Sequence, residues 1–279
     1  MVIKMAKNKT IPIITAISIA VGILAPLLIY DNLRFETVHY TVAHKDLPPT
    51  FNGFRIVHVS DLHDNLFGEK QQKLLAAIKG ENPHIIVITG DLIDSDRTKN
   101  ALDLVKGAVE IAPCYYVNGN HEIRTGKYLS EIKPALIRYG VKVLDDEKTY
   151  IERNGEKITV IGLSDLCGGE ADQRQALQAL AENEAFTLLL AHRPERFGIY
   201  SDCGVSLAFS GHAHGGQFRI PFTHRGVFSP GQGLFPVYTE GVFTRKNTKM
   251  TVSRGLGNQV IIPRINNCFE LVSVTLKKA

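Results

Sequence analysis

Five short polar blocks hold most of the residues able to do chemistry in this 279-residue chain. They are Asp61-Leu62-His63, Gly90-Asp91, Gly119-Asn120-His121-Glu122, Ala191-His192 and Gly211-His212-Ala213-His214. Asp and Asn offer oxygen and His offers imidazole nitrogen, a donor set that suits Mn, Fe, Zn or Ni. No cysteine stands inside a block, which disfavours a structural zinc site of the thiolate type. The candidate ligands Asp61, His63, Asp91, Asn120, His192, His212 and His214 exceed what one ion needs. Two ions sharing a carboxylate would use them all. Each block alone is weak: Asp-x-His is common by chance, and Gly-Asp often marks only a turn. A lone His58 or His84 is expected to pack or cap. The signal is the ordered set.

Strands must position these blocks. Each block directly follows a β-rich or continuously apolar run, at 55–59, 84–89, 114–117, 186–190 and 206–209. Ligands of α/β sheets gather at the carboxyl ends of strands, so five strand ends are expected to converge on one site. Asp61 and His63, like His212 and His214, are spaced to face the same way from an extended edge. Helical stretches are expected near 70–79, 99–111, 128–139 (interrupted early by Pro134) and 171–183. Asn154-Gly155 predicts a hairpin. From 211 to 257 glycine is dense, and only short strands and turns are expected before a last strand at 269–276. Strand–helix alternation in both halves implies one α/β layered domain with a mixed sheet. Residues 31–53 form a linker and first strand, broken by Pro48-Pro49.

The charge sits apart from this machinery. The chain has 32 Lys+Arg against 28 Asp+Glu. Lys4, Lys7 and Lys9 lie in a basic tail (1–10), and residues 1–30 hold no acid, so 29 basic against 28 acidic residues remain beyond Tyr30. That balance argues against nucleic acid as a partner. Ile11 to Tyr30 carries no charge. Twenty helical residues span about 30 Å, the thickness of a bilayer core. A cleaved signal peptide has a shorter apolar region and ends in a small-x-small site, so the segment is expected to be an uncleaved transmembrane anchor. Three lysines before it keep the N-terminus cytoplasmic, placing the body on the outer face of the cell membrane. Cys114, Cys167, Cys203 and Cys268 form no C-x-x-C pair and are expected to be buried thiols.

The order DLH (61–63), GD (90–91), GNHE (119–122), H (192) and GHAH (211–214) resembles the calcineurin-like metallophosphoesterase superfamily. The wider text, SDLH…ITGDLID…GNHE…AHRPE…SGHAHGGQ…SRGLG, is similar to its bacterial membrane-anchored branch. The resemblance runs from residue 54 to the end and implies a four-layer α/β/β/α sandwich of mixed sheets with a dimetal site at strand ends. It implies one ion on Asp61, His63 and His214, a second on Asn120, His192 and His212, and Asp91 bridging them. Manganese comes first among the metals, with iron, zinc or nickel as alternatives. A hydroxide between the ions would attack phosphorus in line, and His121 would protonate the leaving oxygen or steady the transition state. Glu122 or Asp94 would orient ligating histidines.

The implied activity is hydrolysis of phosphodiester or pyrophosphate bonds in a phosphate-containing small molecule or lipid-linked substrate of the cell envelope. A nuclease or nucleotide phosphodiesterase is the second reading, and a non-catalytic metal-stabilised scaffold the third. Weaker candidates are Asp64 and Asn65 as pocket lining and Arg193 as a phosphate partner or a surface salt bridge. Gly215 and Gly216 are expected to let the backbone turn near the ions. Arg124, His224 and Arg225 read as solvated loop residues.

Overall fold

The computed structural model describes residues 31–94, 97–166, 168–223, 225–258 and 263–279, together with Gly22 and Pro26. Apart from those two, the apolar segment 11–30 and the basic tail lie outside the described residues, as do Cys167 and His224. Among the described residues no helix is long and apolar enough to cross a membrane.

Two six-stranded mixed sheets face each other. The first contains β1 (Phe35–His44), β2 (Arg55–Val59), β3 (Ile85–Thr89), β4 (Cys114–Val117), β5 (Lys142–Val143) and the C-terminal β16 (Phe269–Lys278), ordered β1-β16-β2-β3-β4-β5. β2 to β5 run parallel, and β16 is antiparallel to β2 but parallel to β1. The second contains β6 (Glu147–Arg153), β7 (Glu156–Leu163), β8 (Thr187–Ala191), β9 (Leu207–Ser210), β14 (Gly241–Arg245) and β15 (Thr248–Val252), ordered β14-β15-β9-β8-β7-β6. Between β9 and β14 lie two small hairpins, β10 (Arg219–Ile220) with β11 (Arg225–Gly226), and β12 (Phe228–Ser229) with β13 (Gly233–Leu234).

Three apolar cores stack these layers. Ile56, Val87 and Val117 meet Val160, Leu188, Leu190 and Phe209 between the sheets. Outside the first sheet pack α1 (Gln72–Gly80), α2 (Lys99–Val109) and α4 (Lys133–Arg138). Outside the second pack α5 (Glu170–Ala181) and α6 (Phe197–Asp202). The layers therefore run helix, sheet, sheet, helix. β3 is buried along its whole length, as a parallel strand covered on both faces must be. α2 buries Ala101, Leu104, Val105 and Ala108, the i, i+3, i+4, i+7 stripe of a one-sided helix.

Some expectations shift. The expected helix at 128–139 divides into a π-type turn, Tyr128–Ile132, and α4, whose first turn contains Pro134. Proline lacks an N–H, so it fits a helix start and not its middle. The short α6 and α3 (Asn120–Arg124) have no counterpart in the periodicity, because one or two turns carry too few residues to show a 3.6-residue repeat. The strand expected within 31–53 is β1, which pairs with β16 over ten residues. Cys114 and Cys268 are buried free thiols and Cys203 is half-buried. Burial pushes the Cys114 thiol up to about 12.

Candidate metal centre

The five strand ends converge. β2, β3 and β4 of one sheet and β8 and β9 of the other deliver the blocks to one buried place. Three groups there could hold an ion: Asp61, His63 and His214; Asp91, His192 and His212; and His63, Asp91 and His121. Asp91 Oδ2 lies 3.2 Å from His192 Nε2, 3.8 Å from His63 Nε2 and 4.0 Å from His121 Nε2. Asp61 Oδ1 lies 3.5 Å from His214 Nε2.

The convergence does not use extended edges. Asp61 (φ 50°), His63 (φ 48°), Asp91 (φ 50°), His212 (φ 62°) and His214 (φ 48°) all hold left-handed backbone. The paired blocks thus turn inward through strained residues, not by strand alternation. Such conformations cost L-residues about 1–2 kcal/mol each and persist where surrounding contacts over-determine them. Those contacts are close. A Cβ on Gly119 would meet Asp91 Oδ1 at 2.3 Å, and one on Gly211 would meet Ser60 Oγ at 1.9 Å.

The donor chemistry fits metal ions. His63 Nε2, Asp91 Oδ2, Asn120 Oδ1, His192 Nε2, His212 Nδ1 and His214 Nε2 are all buried without a hydrogen-bond partner. A buried polar atom left unpaired is costly, and the Asp and His donors among these atoms fall in overlapping groups that could hold an ion. Burial lowers the pKa of His63 to about 3 and holds His212 and His214 well below the ordinary range, so these imidazoles are neutral, the form that binds metal. Burial opposes charge on His192 and Asp91 too, but their mutual contact favours the ion pair. His192 Nδ1 donates to Thr89 O at 2.7 Å, which leaves Nε2 facing Asp91. Asp61 is braced by Ser60 Oγ at 2.6 Å and by the His212 N–H.

His121 sits at the cluster's margin, with Asp94 Oδ1 3.3 Å and the Arg124 guanidinium 2.9 Å from its Nδ1. Arg124 is thus a partner of His121 and not only a solvated loop residue. Glu122 orients no histidine. Its buried carboxylate accepts the backbone N–H groups of Asp91, Leu92, Ile93 and Gly119, tying the β3 and β4 loops together. Arg193 makes a two-pronged pair with Asp165 (2.5 and 2.7 Å) and reaches His212 Nε2 at 3.4 Å, so it is a salt bridge beside the cluster. Asp64, whose carboxylate accepts the Ala101 N–H, and Asn65 both line an open recess with His63. Gly215 and Gly216 take positive φ, as the turn at His214 requires. Ser60, Thr89 and the fully buried Arg264, whose Nη2 lies 3.4 Å from His214 Nδ1, were not singled out from sequence. Thr89 and Arg264 reach His192 and His214 across long stretches of chain, whereas Ser60 bonds the adjacent Asp61, and its place just before the first block is the one local hint.

Two facing mixed sheets with a buried Asp, Asn and His cluster at their strand ends define a metal-dependent hydrolase. The chain belongs to the calcineurin-like phosphoesterase family, which it matches over residues 54–216. It is therefore a phosphoester hydrolase of a family that binds divalent metals. It is 32% identical to the Bacillus subtilis metallophosphoesterase YkuE, over 87% of this chain and 85% of that one. It is 27% identical to the Escherichia coli phosphodiesterase YaeI, over 74% of this chain and 76% of that one. A Danio rerio protein named transmembrane protein with metallophosphoesterase domain is 26% identical, over 94% of this chain and 62% of that one.

Proposed function

We propose that the chain hydrolyses phosphodiester or pyrophosphate bonds of a cell-envelope substrate with two divalent ions, manganese first among them. Asp61, His63 and His214 hold one ion, Asn120, His192 and His212 the other, and Asp91 serves both. The observation that carries this reading is the convergence of unpartnered buried donor atoms from both sheets. Bound there, the ions supply Lewis acidity, neutralising phosphoryl charge and making water acidic enough to be a nucleophile near neutral pH. The chain's own residues do the rest. Thr89 and Ser60 fix the donor atoms of His192 and Asp61. His121 stands between the Asp94 carboxylate and the Arg124 guanidinium; burial lowers its pKa, and it would protonate the leaving oxygen or steady the transition state.

Residues 1–10 form a cytoplasmic basic tail, 11–30 a transmembrane anchor, 31–53 the link and first strand, and 54–279 the catalytic domain on the outer face. The uncharged 20-residue run and the lysines before it support this topology. Hydrolysis of bis-p-nitrophenyl phosphate with Mn²⁺, lost with EDTA and in Asp91→Asn, is the expected result. Metal binding without turnover on mono-, di- and pyrophosphates would sink the reading. A C-terminal reporter active only in the cytosol would overturn the orientation.

A further inference from the structure

The surface is unevenly apolar. Among the described residues thirteen large hydrophobic side chains are exposed, and seven of them fall between 218 and 242. Single exposed apolar residues need no explanation, but a cluster does. Phe222, in the connection between β10 and β11, is fully exposed, and Leu234, Phe235 and Val237 are each about two-thirds exposed. Phe222 and Phe235 also hold left-handed backbone (φ 65° and 53°), which glycine adopts freely and a bulky ring does not. Neither burial nor turn chemistry accounts for aromatic rings at these positions.

The patch is braced directly on the metal centre. The Val227 N–H donates to Gly216 O (3.1 Å) and Phe218 O (2.8 Å). A Cβ on Gly216 would lie 2.3 Å from Gly226 Cα. These hairpins therefore rest on the turn that carries His214. The start of the described domain reaches the same His214 turn on which the hairpins rest. Asp31 accepts the Asn267 N–H (3.2 Å), and Asn267 Nδ2 donates to His214 O and Gln217 O. Asn32 lines the open recess that His63 and Asn65 share. Tyr30, the last residue of the uncharged run, immediately precedes Asp31. If that run enters a bilayer, the bilayer meets the domain where the exposed rings and the mouth of the metal centre already are.

We infer that the face bearing Phe222, Leu234, Phe235 and Val237 lies against the lipid bilayer, seating the metal centre at the headgroup layer, so that its phosphoester is carried by a membrane lipid. This rests on the anchor and phosphohydrolase readings above. The domain's near-neutral charge makes the contact apolar and not electrostatic.

The chain contains no tryptophan, so one introduced ring is a unique probe. Full-length Phe222→Trp and Phe235→Trp, reconstituted in phosphatidylcholine vesicles, should be quenched by lipids brominated high in the acyl chain. Tyr150→Trp, on β6, is the exposed control and should not be. Equal quenching at all three positions overturns the inference, as does a chain that washes off the vesicles. A second measurement reads the substrate. With Phe222→Ser/Phe235→Ser, hydrolysis of a long-chain alkyl p-nitrophenyl phosphodiester in the vesicles should fall about tenfold or more, the partitioning value of one buried ring. Turnover of soluble bis-p-nitrophenyl phosphate should not change. An equal effect on both substrates overturns the lipid assignment. Loss of the soluble turnover in the unmutated chain would instead strike the phosphohydrolase reading, while quenching would still report the docking.

Discussion

Glu122→Gln tests whether one carboxylate brackets the two loops that carry Asp91 and Asn120. The wild-type side chain is fully buried, and its oxygens split the work evenly. Oε2 takes the N–H groups of Asp91 and Gly119, both at 2.8 Å, and Oε1 takes those of Leu92 (2.7 Å) and Ile93 (3.2 Å). Glutamine turns one oxygen into an NH₂ donor. Whichever oxygen is replaced, two buried N–H groups then face a donor. Each unpaired group costs about 1–3 kcal/mol, so the variant should lose about 2–6 kcal/mol, a large part of an ordinary domain's stability. Metal affinity should fall about 10–100-fold, as it does when ligand-supporting contacts are cut. A pH signature accompanies this. Burial and the Asp91 charge raise the Glu122 pKa to about 7, against the opposing N–H bonds of Gly119 and Asp91. A carboxyl that binds its proton more tightly when folded makes metal-free stability decline as pH rises from about 4.5 to 7. That decline should vanish in Glu122→Gln. Urea unfolding of the metal-free protein across pH and calorimetric Mn²⁺ titration measure both effects. Wild-type stability and wild-type affinity in the variant would refute the bracket.

Three further expectations concern neighbouring residues. Gly211→Ala puts a methyl carbon 1.9 Å from Ser60 Oγ and 2.1 Å from Asp61 Oδ2, so it should weaken one of the two ions about tenfold or more, read as metal stoichiometry after dialysis. His121→Ala should keep both ions while bis-p-nitrophenyl phosphate turnover drops about 10²–10⁴-fold; loss of an ion would make His121 a ligand of the His63–Asp91–His121 group. His58 is fully buried, bonds Thr89 Oγ1 at 2.8 Å, and burial lowers its pKa to about 3. Its stabilising share is therefore complete above about pH 6.5 and lost as pH falls toward 3. His58→Gln should flatten that acid limb by up to about 1.4 kcal/mol per pH unit, and an unchanged limb would show that His58 is protonated in the fold.

The sequence announced the long elements and the ligand blocks because both are written locally. β3 is a continuous apolar run, and each block abuts the strand that delivers it. The Asn154-Gly155 hairpin was legible for the same reason. α3 and α6 were not, being too short to display a period. The inward turn of Asp61 and His214 was anticipated, but through the wrong physics: spacing suggested an extended edge, whereas left-handed backbone makes the turn. The roles of Thr89 and Arg264 depend on which segments become neighbours. Thr89 and His192, for example, stand on different sheets. No local pattern encodes such a pairing.

The sheet order also constrains how this chain can be made. β16 is the last strand of the chain, yet it slots between β1 and β2, which are consecutive in sequence. Until residues 269–278 arrive, two strand edges that belong together stand apart with their ladder groups unpaired. Such edges invite wrong pairing, and closing them waits on contacts between the two ends of the described domain. The first sheet is thereby complete only once β16 is in place. Loss of Phe269–Lys278 would leave both of those edges open.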